Sequence, residues 1–334
     1  MIQGTPTVLQ LNPWQQSLAQ SITDPAILLR RLKLPDSLLP AARQAAELFG
    51  LKVPLPYLAR IQQADINDPL LKQVLPLSDE LISVAGFTSD PVSDHAAMQT
   101  PGLLHKYHGR ALVLATGACG IHCRYCFRRH FNYAEANPAK HHWQDMLAAL
   151  RADETVHEVI LSGGDPLSLS DKRFTALVEE LENIPHLKRL RLHTRLPVVL
   201  PDRVTTALCR TLASSRLTTV VVLHINHAQE IDASVKSICE RLQQTRSQLL
   251  NQSVLLAGVN DSVQALCDLS LKLSECNILP YYLHQLDRVS GAAHFEVADD
   301  KAKQLLNQIT AQLPGYLVPK LVREIAGESS KTTL

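Results

Sequence analysis

Short apolar runs alternate with amphipathic helical segments over the last two thirds of the chain. The runs typical of β-strands cover residues 111–115, 158–161, 190–193, 219–224, 253–256 and 278–283. Helical periodicity is seen, among other places, at residues 138–151, 172–183, 202–213 and 263–276. Strands that alternate with helices predict parallel βα units with right-handed crossovers. An incomplete (β/α)6 barrel and a flat doubly wound sheet both satisfy this pattern.

Side chains that can bind ligands or take part in catalysis follow the predicted strands, which favours the barrel. A cysteine-rich loop follows the first strand and a Ser-Gly-Gly-Asp segment follows the second. His193 and Arg195 end the third strand, and His224 ends the fourth. In barrels the functional residues collect at the carboxyl ends of the strands, whereas a flat sheet has its site at one crevice. We therefore expect an α/β fold with a partial (β/α)6 barrel around a central cavity.

The first hundred residues lack this alternation and predict a layer of short helices. Asp24 and Asp36 indicate helix starts, the first because a capping carboxylate precedes a proline. Residues 38–48 show an apolar pattern of helical period. Residues 88–102 are rich in Ser, Asp, Pro and Thr, which predicts a linking loop. The predicted regions are an N-terminal helical region with its linker at 1–100, the partial barrel at 101–297, and a C-terminal helix and tail at 298–334.

Composition excludes several classes of function. The 334 residues are 46% hydrophobic and 19% charged, which is typical of a globular protein with a large core. The 33 basic and 32 acidic residues give a net charge of +1, so there is no overall field for a polyanion and we expect no nucleic-acid partner. The sequence shows neither a signal peptide nor a run long enough to cross a membrane. We therefore expect a cytoplasmic protein without membrane attachment.

Three of the seven cysteines, Cys119, Cys123 and Cys126, lie in one short loop with the spacing C-x-x-x-C-x-x-C. In a reducing compartment such a cluster indicates metal binding rather than disulfides. Three thiolates can hold three irons of a [4Fe–4S] cluster and leave the fourth iron open to a substrate. The alternative is a structural zinc site with His122 or His130 as the fourth ligand. The other four cysteines are expected to be small core residues.

The cysteine spacing resembles the signature of the radical S-adenosylmethionine (SAM) superfamily, in which three cysteines ligate a [4Fe–4S] cluster and SAM binds the open iron. The Ser-Gly-Gly-Asp segment is similar to the SAM-binding motif of that superfamily, and two glycines let a ligand approach the backbone. Taken alone, this segment is equally typical of a turn. Two further candidates for contact with SAM are His224, at the end of the fourth strand, and Gln252, at the head of the fifth. Each is equally typical of a hydrogen-bonded residue inside a barrel. The SAM candidates are Ser162, Gly163, Gly164, Asp165, His224 and Gln252.

Four longer blocks narrow the resemblance to the lysine 2,3-aminomutase family. They are LSGGDPL, HINHAQEI, NQSVLLAGVND and YYLHQLD, and the similarity runs in the same order from residue 101 to 331. That family binds pyridoxal 5′-phosphate (PLP) as well as SAM and the cluster. The resemblance implies an isomerase that converts L-lysine to β-lysine. A radical derived from SAM removes a hydrogen atom from C3 of lysine bound to PLP, and the nitrogen migrates from C2 to C3.

The resemblance also implies roles for single positions. Lys331 would form the Schiff base with PLP, although without the resemblance it is typical of an exposed tail. Arg128 would bind the substrate carboxylate through paired hydrogen bonds. Asp287 and Glu324 would hold the distal amine; the family has aspartate at the second position, and the extra methylene moves the charge by about 1.5 Å. The candidates beside PLP are Lys106, Tyr107 and Arg110.

The LLRRLKL segment near residue 30 resembles the short bacterial EpmB subgroup. We therefore expect a short aminomutase without the further C-terminal region of the longer catabolic enzymes. Members of that subgroup supply (R)-β-lysine for attachment to elongation factor P by a lysyl ligase. The resemblance implies L-lysine as the substrate, a flavodoxin or ferredoxin as the reductase, and a functional link to elongation factor P. It is also compatible with a homo-oligomer. The alternatives are a catabolic lysine aminomutase and a glutamate aminomutase, the latter disfavoured because two acids face the distal group. A zinc-bound interaction protein is the alternative from a different class.

Overall fold

The computed structural model describes residues 12–133 and 143–334, and a ten-stranded sheet forms the centre of this part of the chain. The strands are β1 (Met98–Thr100), β2 (Leu103–Tyr107), β3 (Arg110–Thr116), β4 (Glu158–Gly163), β5 (Arg189–Thr194), β6 (Thr218–His224), β7 (Gln248–Val254), β8 (Leu279–His284), β9 (Lys320–Arg323) and β10 (Thr332–Thr333). Strands β3 to β9 pair in parallel, and β1, β2 and β10 add antiparallel edges.

Helices connect the parallel strands and also form an N-terminal layer. The layer contains α1 (Pro13–Ala19), α2 (Pro25–Arg31), α3 (Leu39–Leu48), α4 (Leu55–Leu58) and α5 (Pro69–Lys72). The barrel carries α6 (Trp143–Ala152), α7 (Asp171–Glu182), α8 (Leu196–Val199), α9 (Thr206–Ser214), α10 (Ala233–Gln243), α11 (Val263–Glu275) and α12 (Asp299–Thr310). Of the predicted helix at 138–151, the first five positions lie outside the described residues. None of the helices in the described ranges is both long and apolar enough to cross a bilayer.

The strand order identifies a partial barrel and excludes the doubly wound sheet. In a doubly wound sheet the order reverses at a switch point. Here every strand pairs with the next one along the chain, from β1 to β10. Right-handed crossovers then place the connecting helices on one face, so the other face curves around a cavity. The predicted partial barrel is confirmed, but it has a seventh parallel strand, β9, that the sequence pattern did not reveal.

Two boundaries differ from the predictions because polar residues interrupt the hydrophobic pattern. The fifth predicted strand, 253–256, is β7 at Gln248–Val254, so Gln252 lies near the end of its strand and not at its head. This strand buries polar Asn251 and Ser253, which bond to the Ile225 backbone across the neighbouring strand. The predicted linker at 88–102 contains strand β1.

The N-terminal layer shares its core with the barrel. The Asp24 side chain accepts a hydrogen bond from the Ala26 N–H at 2.8 Å, which confirms the predicted start of α2. Leu28, Tyr57 and Leu70 from this layer are fully buried and belong to the same hydrophobic cluster as the barrel leucines. The layer is therefore packed as part of the barrel wall, which brings its loops close to the cysteine-rich loop.

The C-terminal segment closes the far edge of the sheet. Helix α12 leads into β9, whose Leu321 is fully buried, and β10 folds back against β9. The Leu334 N–H donates to the Leu321 carbonyl at 3.2 Å. This hairpin places Glu324 and Lys331 next to each other at the carboxyl end of the barrel.

Candidate active site

A cavity of about 550 Å³ opens at the carboxyl ends of the parallel strands. Its volume is within the range of cofactor and small-molecule sites, about 300–1,000 Å³. The residues predicted to bind the cluster, SAM, PLP or the substrate all line this cavity: Lys106, Tyr107, Arg110, Cys119, Cys123, Cys126, Arg128, Ser162, Gly163, Gly164, Asp165, His224, Gln252, Asp287, Glu324 and Lys331. The structure thus brings together positions that are more than two hundred residues apart in the chain.

The cysteine-rich loop is fixed by its backbone on the turn that follows β4. The Gly164 N–H donates to the Thr116 carbonyl at 2.7 Å, and the Asp165 N–H donates to the Ala118 carbonyl at 2.8 Å. A Cβ on Gly164 would lie 2.4 Å from the Ala118 oxygen, so only glycine permits this approach. Gly163 has φ of +110°, a conformation that also favours glycine. The two glycines were expected to let a ligand approach this backbone, and the N–H groups of Gly164 and Asp165 are used to hold the cysteine loop.

The Asp165 side chain ties the same turn to the next strand. Its Oδ1 accepts hydrogen bonds from Thr194 Oγ1 at 2.7 Å and Leu167 N at 3.0 Å. Its Oδ2 accepts from Arg195 N at 2.8 Å and Leu196 N at 2.9 Å. Burial raises the pKa of Asp165, and these hydrogen bonds oppose that rise. The carboxylate is thus used within the protein, which makes Asp165 a positioning residue rather than a ligand-binding side chain.

Two buried glutamates, which the sequence analysis missed, neutralise the arginines around the cysteine loop. Glu80 accepts from Arg124 Nε at 2.8 Å and from Arg129 Nη2 at 2.6 Å. Glu230 accepts from Arg195 Nη2 at 2.9 Å, and Arg195 Nη1 lies 2.8 Å from Cys123 Sγ. Buried charges are tolerated when they are paired and hydrogen-bonded. The run of arginines after Cys123 was the available signal, but sequence alone does not identify their partners.

The three thiols fit an iron–sulfur cluster better than a zinc ion. Burial raises the pKa of Cys119 well above its usual value and that of Cys126 to about 11, and neighbouring thiols add to both rises. Burial therefore keeps these two thiols neutral, and only coordination to a multiply charged metal centre would deprotonate them. A cluster needs each sulfur on a separate iron, whereas zinc needs four ligands around one point.

The described residues give no support to the zinc alternative. The His122 ring Nδ1 lies 2.8 Å from the Gly50 carbonyl, and His130 Nε2 lies 3.0 Å from the Ser290 carbonyl. These contacts use one nitrogen of each ring and leave the other open. Within residues 12–133 and 143–334, no three His, Cys, Asp or Glu side chains converge on a single metal position.

Five side chains of alternating charge, which we name the charge chain, also line the cavity. Lys331 Nζ lies 2.5 Å from Glu324 Oε2, and Glu324 Oε1 lies 2.9 Å from Lys106 Nζ. Lys106 Nζ also lies 2.7 Å from Asp94 Oδ1, while Asp94 Oδ2 lies 2.7 Å from Arg128 Nε. The chain connects the predicted PLP lysine to the predicted carboxylate-binding arginine through Asp94. Asp94 was missed because it lies in a segment whose composition is typical of a linker.

The charge chain fixes the ionisation of its acids. Burial raises the pKa of Glu324, but Lys331 and Lys106 lower it more, to about 2. Burial likewise raises the pKa of Asp94, and Arg128 and Lys106 bring it below its usual value. Both carboxyl groups are therefore anions at neutral pH. In contrast, burial and nearby Glu324 raise the pKa of Asp287 to about 7.

Lys331 is not part of a loose tail. Thr332 pairs with Arg323, and the Lys331 side chain is only 20% exposed. Its nearest carboxylate is that of Glu324, seven residues earlier in the chain. The hairpin between β9 and β10 thus supplies the partly desolvated setting that a reactive lysine requires.

Unpaired ring nitrogens mark another part of the cavity wall. The Nε2 atoms of His193 and His224 are buried, and neither has a hydrogen-bond partner in the described part of the chain. Burial lowers the pKa of His193 well below its usual value and that of His224 to about 3, so both rings are neutral. Buried polar atoms normally have partners, so these two nitrogens are available to a molecule bound in the cavity. Nearby, the Arg110 guanidinium lies over the Tyr107 ring at 4.7 Å.

The chain is similar to proteins of known name. A model of a 4Fe-4S single cluster domain matches residues 108–194. L-lysine 2,3-aminomutase of Escherichia coli K12 is 48% identical over 96% of this chain and 94% of that protein. L-lysine 2,3-aminomutase of Clostridium subterminale is 32% identical over 96% of this chain and 77% of that protein. A radical SAM methyltransferase from Sphaerobacter thermophilus has a TM-score of 0.46 and 16% identity over 66% of this chain and 68% of its own.

Replacement of Gly164 by alanine tests the anchoring of the cysteine loop. The new Cβ would meet the Ala118 backbone at 2.4 Å, so the loop must move and carry the cysteines with it. We expect Gly164→Ala to retain iron about tenfold less strongly when challenged with a chelator, as for other losses of support around a metal site. Gly315→Ala is the matched control, because no atom lies within 4 Å of its Cβ. Equal iron retention by both variants would contradict the anchoring.

Proposed function

The chain belongs to the lysine 2,3-aminomutase family, and from this membership we propose that it is a radical SAM, PLP-dependent isomerase that converts L-lysine to β-lysine. The observation that carries the proposal is that the three clustered cysteines and Lys331 line one cavity. The cavity offers thiols for a cluster, an amine for PLP and charges of both signs for an amino acid. Every residue that the proposal assigns to a cofactor or to the substrate lines this cavity.

The cavity residues fit the three cofactors. Cys119, Cys123 and Cys126 would hold the cluster, His224 and Gln252 offer polar atoms to SAM, and Lys331 would hold PLP. When bound, the cluster and SAM supply a radical that removes a hydrogen atom from the substrate, and PLP carries the migrating nitrogen. The turn formed by Ser162, Gly163, Gly164 and Asp165 contributes by fixing the cysteine loop at the wall where SAM would lie.

The charge chain fits the two ends of lysine. Arg128 would bind the α-carboxylate; its Nη1 lies 3.2 Å from Ser162 Oγ, and Asp94 fixes its Nε. Asp94 would act as a positioning residue, because a guanidinium held at one edge has less freedom to lose on binding. Asp287 and Glu324 would bind the distal ammonium. Two acids at this end disfavour a glutamate aminomutase.

Apolar side chains in the same cavity would protect the reaction. Ile160, Val254 and Leu286 line it between the polar groups. A radical removes hydrogen from any close donor, so exclusion of water and of stray side chains is required. Lys106, Tyr107 and Arg110 also line the cavity and would lie beside PLP, where the Arg110 guanidinium suits the phosphate.

We further propose that the product is (R)-β-lysine for elongation factor P, with a flavodoxin or ferredoxin as electron donor. The support is the resemblance to the short subgroup: the E. coli relative is matched over 94% of its length, whereas the clostridial one is matched over 77%. Clustered thiols and a reduced cluster are suited to the cytoplasm. The catabolic alternative would give the other hand of β-lysine.

The direct test is anaerobic turnover with a chiral analysis of the product. Reconstituted protein with SAM, PLP, dithionite and L-lysine is expected to form β-lysine of the R form. Lys331→Ala should lose this product and keep its iron. β-Lysine of the S form would support the catabolic alternative, and deoxyadenosine without β-lysine would contradict lysine as the substrate.

The pH dependence tests the role of Asp287. The pKa of Asp287 is raised to about 7, so its carboxyl group is protonated and neutral at lower pH. Because an ammonium binds to the anion, kcat/KM for lysine should fall about tenfold per pH unit below that pKa. Burial lowers the pKa of the four histidines that line the cavity, His122, His193, His224 and His284, so no rise in their charge accounts for such an inflection.

Asp287→Asn is the control for this profile. It should lower kcat/KM at neutral pH and remove the inflection, because no carboxyl group titrates there. Neutral-pH kinetics like those of the unsubstituted protein, or an unchanged inflection, would contradict the assignment of Asp287 to the distal ammonium.

A further inference from the structure

We propose that Glu324 is transferred from Lys331 to the distal ammonium of the substrate, so that attachment of PLP to Lys331 completes the lysine-binding site. This inference rests on the proposed function and adds to it an order of assembly: cofactor first, substrate second. Asp287 and Glu324 would then differ in one respect. Glu324 is paired with Lys331 until PLP binds to that lysine.

The observation behind it is that both carboxylate oxygens of Glu324 are already used. Oε2 lies 2.5 Å from Lys331 Nζ, and Oε1 lies 2.9 Å from Lys106 Nζ. Glu324 is largely withdrawn from solvent, with a side chain 17% exposed. In this arrangement a substrate ammonium would meet Asp287 alone.

Lys106 would keep Glu324 in place after Lys331 has left it. Lys106 Nζ is held on its other side by Asp94 Oδ1 at 2.7 Å and by the Val92 carbonyl at 2.7 Å. One oxygen of Glu324 therefore stays anchored while the other becomes available. The longer side chain of glutamate, compared with the aspartate expected from the family pattern, gives it the reach to contact both lysines.

A count of charges shows why a cation should follow. Attachment joins Lys331 Nζ to the aldehyde carbon of PLP, releases one water molecule from the aldehyde oxygen and passes one proton to solvent. The wall thereby loses one positive charge. A carboxylate that is left unpaired in a partly buried site is costly, and an incoming ammonium pairs it again. Before attachment the anions of Asp94 and Glu324 pair with Lys106, Arg128 and Lys331. Asp287, whose pKa is raised to about 7, adds a further negative charge where it is ionised.

The exchange would also set selectivity. A ligand with a carboxylate at one end and an ammonium at the other satisfies Arg128 and the released oxygen of Glu324 together. A ligand without the distal cation leaves Glu324 and Asp287 as neighbouring anions, which repel each other. The protein should therefore discriminate between such ligands more strongly after it has taken up PLP.

The test measures binding, not turnover, with two cofactor forms. 6-Aminohexanoate is the probe, because it has the carboxylate and distal ammonium of lysine and lacks the α-amine. Its dissociation constant is measured calorimetrically with protein loaded with PLP or with pyridoxine 5′-phosphate, whose alcohol cannot bond to Lys331. We expect binding at least about tenfold tighter with PLP, as for one added hydrogen bond between charged groups.

Two variants separate the contribution of Glu324 from that of Lys331. In Glu324→Gln the advantage of PLP should disappear, because no carboxylate is released. In Asp287→Asn the probe should bind more weakly with both cofactors, and the advantage of PLP should remain. The comparison in the unsubstituted protein needs no variant, so poor folding of either one does not remove the test.

Each outcome has a distinct meaning. Equal affinity of the unsubstituted protein in its two cofactor forms, or an undiminished PLP advantage in Glu324→Gln, would overturn the exchange. Absence of probe binding in both forms, together with no absorbance change from PLP on Lys331, would instead overturn the proposed function.

Discussion

The backbone anchoring of the cysteine-rich loop is the constraint on which the rest of the cavity depends. Gly164 and Asp165 hold the loop through their N–H groups, and Lys52 Nζ donates to the Cys119 carbonyl at 2.8 Å. These anchoring contacts use backbone groups of the loop and no cysteine sulfur. A loop held in this way can present several thiols to one cluster.

Buried ion pairs reinforce the same loop. Glu80 contacts Arg124 and Arg129, and all three side chains are almost wholly withdrawn from water. Removing one member of such a group leaves an uncompensated buried charge, which costs about 3–5 kcal/mol. Arg195 and Glu230 play the corresponding part at the end of the third parallel strand. The charge chain has a different role, because its ion pairs can be exchanged for ion pairs with a ligand.

Much of this was accessible from sequence, because its signals are local. The cysteine spacing, the alternation of strands and helices, and the Asp24 cap each depend on residues close together in the chain. Partners that meet only in the folded protein left no local sign of their pairing. Glu80 and Asp94 lie in segments without distinctive patterns, and the HINHAQEI block that contains Glu230 does not show which arginine this glutamate contacts. Strand β9 escaped notice because four residues give too short a pattern, and β7 was misplaced because it buries polar side chains. The turn after β4 lines the cavity as predicted, but the use of its N–H groups to hold the cysteine loop had no local sign in the sequence.

The measurement that tests the central claim most directly is the electron paramagnetic resonance spectrum of the anaerobically reduced, iron-reconstituted protein, recorded before and after addition of SAM. The account predicts the signal of a reduced [4Fe–4S] cluster that changes when SAM is added, because three cysteines leave one iron open. A protein that takes up zinc instead of iron, or a cluster signal that SAM leaves unchanged, would contradict it.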